Sequence, residues 1–97
     1  MKEFMITVRL SAFTPEFVSR IPEQRAFVEK LMLKGIILNY SLSNDRNLLW
    51  ITMAAKSDVE VISHLADFPL IKFMKIDITP LMFHLSPEYV MPEPSLN

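Results

Sequence analysis

The chain has no cysteine, one glycine and two histidines in 97 residues. Without a thiol there is no disulfide, no thiolate nucleophile and no cysteine-based metal site. One glycine cannot build a phosphate cradle, and neither the P-loop, the dinucleotide fingerprint, the zincin helix motif nor the nucleophile-elbow pattern occurs. An excess of either charge is also missing, since ten basic side chains stand against eleven acidic ones, with a net charge of -1 and a pI near 6.1. That balance gives no electrostatic footprint for phosphate backbones and predicts no nucleic-acid partner. No apolar run approaches the roughly 20 residues of a membrane span, because Arg9, Lys34, Asn39, Arg46 and Lys56 interrupt each of them. The first residues lack the apolar core and cleavage site of a signal peptide, so the expected location is the cytoplasm.

What the chain does have is apolar side chains. They make up 51% of it, and the mean hydropathy is +0.26, a surplus for a single small core that predicts a face covered by another subunit. The length suits one domain. Residues 1–85 carry the regular patterns, and residues 86–97, with prolines among Tyr89, Val90 and Met91, read as an extended tail docking on a neighbour.

Phe4, Ile6, Val8 and Leu10 alternate with Met5, Thr7 and Arg9 as a strand does. Thr14-Pro15-Glu16 starts a helix, and Pro22 either kinks or restarts it. Lys34-Gly35 closes that helix with a left-handed cap. Ile36 to Leu42 and Leu48 to Ala54 then form a hairpin across Ser43-Asn44-Asp45-Arg46. In the second of these strands Leu49, Ile51 and Met53 on one face, and Leu48 and Trp50 on the other, all look buried. Ser57-Asp58-Val59-Glu60 has capping-box spacing for a second helix to about Ala66. Met74, Ile76 and Ile78 begin a last strand, extended past Pro80 to Phe83. The order βαββαβ is that of an α+β, ferredoxin-like domain with a four-stranded antiparallel sheet. Two helices cover one face of such a sheet, and a second copy packed sheet to sheet would cover the other.

Few side chains offer chemistry. His64 and His84 lie twenty residues apart without a third ligand pattern, which predicts no metal. His64 reads as a helix-surface residue near Asp67. His84 follows Leu81-Met82-Phe83 where the last strand leaves the sheet, and either points into a pocket mouth or hydrogen-bonds the tail. Glu23, beside Gln24 and Arg25, follows the proline break, which could turn a carboxylate toward the sheet; the plainer alternative is a solvated helix face. Arg9 either holds a substrate carboxylate or pairs with Asp77 or Glu88. Asn39 and Ser41 line one face of the second strand and Tyr40 the other. The aromatic and Met side chains sit at strand spacing and read as core or interface, so no cofactor is expected.

The segment from Phe68-Pro69-Leu70 through Phe73-Met74 and Ile76-Asp77-Ile78-Thr79-Pro80-Leu81 to His84 resembles the end of muconolactone isomerases. Val8-Arg9, Lys34-Gly35 and Ser57-Asp58 are similar in placement, and the resemblance spans about residues 4 to 87. It implies ferredoxin-like subunits paired into a dimeric α+β barrel, often in larger rings. It also implies a cofactor-independent shift of a double bond in a small unsaturated lactone by proton transfer. His84 and Arg9 fall on matching positions, Glu23 falls close to an acidic helix position, and Asn39 stands where the family has an imidazole. The catalytic candidates are thus His84 and Glu23, with Arg9, Asn39 and Tyr40 as substrate binders. Two other readings stand beside this one, a non-catalytic ligand-binding or assembly protein of the same barrel type and a cofactor-free monooxygenase.

Overall fold

Alternation along the first segment becomes strand β1 (Lys2–Leu10) in the computed structural model, which describes residues 1–11 and 13–85. The expected tail, 86–97, lies outside the described residues. Thr14 Oγ1 accepts the Phe17 N–H at 3.1 Å and starts α1 (Pro15–Ser19). Pro22 acts as a restart. The chain breaks at Arg20, and α2 (Ile21–Leu33) begins with proline in its first turn, where a missing N–H costs no helical bond. Glu16 ties the short α1 down through Arg20 at 3.3 Å and through Lys72. Gly35, at φ 74°, ends α2 in the left-handed conformation, with the Ile36 N–H donating to Leu31 O at 2.9 Å.

Strands β2 (Ile37–Leu42) and β3 (Leu48–Ala55) form the hairpin. Its turn is held by Asp45, whose carboxylate accepts from Ser43 Oγ at 2.6 Å and from the Asn47 N–H at 3.0 Å. Helix α3 (Asp58–Ala66) opens on a capping box. Ser57 Oγ accepts the Glu60 N–H at 3.3 Å, and Glu60 reaches back to the Lys56 N–H at 3.0 Å. A single 3₁₀ turn, Ile71–Phe73, leads into β4 (Met74–Leu81). This strand stops two residues short of Phe83. Pro80 is accommodated because β4 is an edge strand.

The sheet is antiparallel throughout, in the order β2-β3-β1-β4, and the helices lie on one face. With α1 and α2 taken as one interrupted helix, this is the ferredoxin-like arrangement. Cross-strand partners Phe4 and Met53, Ile6 and Ile51, and Val8 and Leu49 face the helices and are buried. Val28 and Leu31 from α2, Val61 and Leu65 from α3, and Phe68 complete that core. The other face carries Met5 opposite Thr52, Thr7 opposite Trp50 and Arg9 opposite Leu48.

Two features depart from the sequence expectation. Trp50 is 37% exposed, and Leu48 is half-buried, because none of the described helices covers that face. In β2 the register with β3 shifts between Ile37 and Asn39, so that Leu38 is an extra residue. Asn39 and Ser41 consequently oppose Thr52 and Trp50 on the open face, whereas Tyr40 opposes Ile51 on the helix face.

Candidate functional site

At the end of the sheet where β1, β2, β3 and β4 present Leu10, Leu42, Leu49 and Met74, the helix layer stands off and leaves a cavity of about 430 Å³. The short α1 supplies a wall of Phe17 stacked on Phe13, with ring centroids 4.5 Å apart and planes at 14°. Helix α2 supplies Val28 and Met32 as the roof. Apolar enclosure with a few converging polar groups is the usual character of a small-molecule site.

Those polar groups are specific. Gln24 occupies the same stripe of α2 as Val28 and Leu31 and is only 4% exposed. Its Nε2 donates to the Tyr40 hydroxyl at 3.2 Å, and its Oε1 accepts the Leu70 N–H at 3.2 Å. Burial pushes the Tyr40 phenol above its ordinary value, and the Gln24 hydrogen bond offsets part of that rise. Tyr40 is therefore protonated across the neutral range. A group raised in this way contributes stability that is present below the ordinary phenol value, about 10, and is lost as pH climbs through the higher folded value. Urea midpoints measured across that alkaline range should fall more steeply for the native chain than for Tyr40→Phe; identical slopes would reject the burial argument.

Arg25, Glu29 and Arg46 line the same cavity from exposed positions. Arg25 and Glu29 are one helical turn apart, and among the described residues none of the three is in an ion pair. Two cations and one carboxylate are thus available to a ligand.

A second, shallower groove of about 340 Å³ lies on the open face, between Met5, Ser41, Trp50, Thr52 and Leu85. Asn39 and His84 meet there, with Nδ2 and Nε2 3.0 Å apart. The amide of Asn39 thus meets the imidazole edge directly, in a contact whose direction follows the imidazole tautomer. His84 is half-buried at this position.

The five residues singled out from sequence are sorted by the sheet. His84 and Asn39 come together in the open-face groove. Arg9 shares that face but lines neither space, being four residues along β1 from Met5, about 13 Å at strand rise. Tyr40 lines the helix-side cavity. Glu23, on the first turn of α2, is exposed and lines neither. The helix break does turn a polar side chain inward, and that side chain is the amide of Gln24. Glu29 and Arg46 had no signal beyond their charge, whereas the 24, 28, 31 spacing could have flagged Gln24 as a member of the buried stripe.

Among the described residues no group of three or more His, Asp or Glu side chains could hold a metal ion, and no helix is long and apolar enough to cross a membrane. The family model for muconolactone delta-isomerase matches residues 3–87. No curated protein matches the chain.

Proposed function

Because the chain belongs to the muconolactone delta-isomerase family, we propose that it is a cofactor-independent isomerase working on a small unsaturated lactone or carbonyl acid in the helix-side cavity. The observation that carries this reading is convergence. One apolar space is lined by a carboxylate, Glu29, by two cations, Arg25 and Arg46, and by the buried Tyr40–Gln24 pair. The arginines suit a substrate carboxylate. Glu29 takes a proton from the carbon beside the carbonyl, and the electron pair moves to the carbonyl oxygen. Tyr40 donates to that oxygen as its charge develops. Glu29 then returns the proton to the far end of the conjugated system, so the double bond has moved and no electrons have been gained or lost.

A lactone double-bond migration assay under nitrogen tests the proposal. Turnover without oxygen is expected, falling on Glu29→Gln by about a hundredfold or more, the usual contribution of a positioned acid/base group. Turnover that requires oxygen would favour the monooxygenase reading. Ligand binding without turnover would leave a binding protein.

The contact between His84 and Asn39 favours a second reading, with chemistry on the open face. There His84 carries the proton, Asn39 orients its ring, and Arg9 takes the carboxylate from farther along the same face. A hundredfold loss on His84→Ala with Glu29→Gln unaffected would move the reaction to that groove. In either case the side of the sheet that no described helix covers, with Trp50, Leu48 and Met5, supports a homodimer paired through its sheets. Sedimentation as a monomer at micromolar concentration would count against that pairing.

A further inference from the structure

The Gln24 side chain is fixed end for end. Its Oε1 accepts a buried backbone N–H, that of Leu70, at 3.2 Å. Turning the amide over would set two donors against each other there, so the NH₂ end must face Tyr40. It does, at 3.2 Å, and the phenolic oxygen is the acceptor. The hydroxyl proton of Tyr40 then has no acceptor among the described residues, on a side chain that lines the cavity.

We propose that Gln24, locked by the Leu70 backbone, makes Tyr40 a donor-only anchor, so that the cavity selects apolar rings bearing a lone-pair oxygen such as a ketone or lactone carbonyl. This rests on the cavity being the ligand site. Gln24 is a positioning residue in this scheme, and Tyr40 is the group that touches the ligand. The polarity is opposite to that of an ordinary tyrosine hydroxyl, which can rotate to accept from a ligand as readily as it donates. Rings that present only N–H or O–H donors at that point leave the Tyr40 proton unmatched and are discriminated against.

The full-length protein can be titrated with a matched pair of neutral probes, 2-tetralone and tetralin, which share a ring system and differ by one carbonyl. Both should bind. The affinity ratio of ketone to hydrocarbon should fall about tenfold in Tyr40→Phe, the size expected for one directed hydrogen bond. The carbonyl stretch of bound 2-tetralone should lie at lower frequency in the native protein than in Tyr40→Phe. In Gln24→Glu the new carboxylic acid keeps the shape and can still accept from Leu70. Once ionised it can only accept from Tyr40 and draws the proton away. The ketone preference of this variant should therefore decline as pH rises through its titration, whereas that of the native chain stays flat. An unchanged ratio in Tyr40→Phe, or a Gln24→Glu variant as flat as the native chain, would overturn the anchor while leaving the cavity a ligand site. Failure of the native protein to bind either probe would overturn both.

Discussion

Replacing Phe68 with alanine should lower the free energy of unfolding by about 3–5 kcal/mol, the range for truncating a buried aromatic. Phe68 is 2% exposed and sits just beyond α3, where the chain turns toward β4. Its ring meets Phe27 of α2 edge-on, with centroids 5.5 Å apart and planes at 78°. It thus joins the end of one helix to the flank of another, and neither can move to fill the space without leaving the sheet. Its backbone is held on both sides, the N–H donating to Leu65 O at 3.0 Å and the carbonyl accepting from Ile71 at 3.0 Å. The site is therefore poorly able to collapse, which places the cost toward the upper end of the range. Against a typical domain stability of about 5–15 kcal/mol, this is a large share. Urea unfolding with an unchanged m-value checks it. Phe83→Ala, at a position 65% exposed, should stay within about 0.5 kcal/mol. Equal losses at the two positions would refute the assignment of Phe68 to the core.

Gln24→Leu should destabilise the chain by about 2 kcal/mol, although it replaces a buried polar side chain with an apolar one of similar size. Area bookkeeping predicts the opposite sign, because more apolar surface leaves water. The hydrogen-bond inventory decides the matter. Leucine offers no acceptor to the Leu70 N–H, and an orphaned buried donor costs about 1–3 kcal/mol. It also withdraws the donor to Tyr40, whose hydroxyl stays half-buried. Thermal unfolding of Gln24→Leu beside Gln24→Glu separates these contributions, since the glutamate variant keeps an acceptor for Leu70. A leucine variant more stable than the native chain would show that these two bonds contribute little.

Much of the fold was legible because its signals are local. Period-two alternation placed β1 and β4, and the Thr14-Pro15 and Ser57-to-Glu60 patterns placed helix starts whose caps the structure contains. Gly35 marked a left-handed cap, and it stands there at φ 74°. The match over residues 3–87 agrees with the resemblance seen in the last third of the chain. The site was harder to see. Glutamine on a helix reads as solvated, and only the tertiary meeting of α2, β2 and the Leu70 backbone makes Gln24 a buried connector. Glu23 and Gln24 are adjacent in sequence but point to solvent and cavity respectively. Trp50 shows the converse, since aromatic character suggested burial but no described helix covers its face of the sheet.

The extra residue at Leu38 has a consequence for how this chain can change. Beyond it, β2 is read in alternate phases, with Asn39 and Ser41 belonging to one side of the sheet and Tyr40 to the other. Parity couples the two. With Leu38 drawn into the ladder, every residue after it would trade sides at once, delivering an amide to the cavity and a phenol to His84. One backbone irregularity thus sets the identity of two chemical surfaces: flattening the bulge with Leu38 kept in the ladder exchanges both at once, whereas deleting Leu38 itself leaves Asn39 opposite Thr52 and both surfaces as they are.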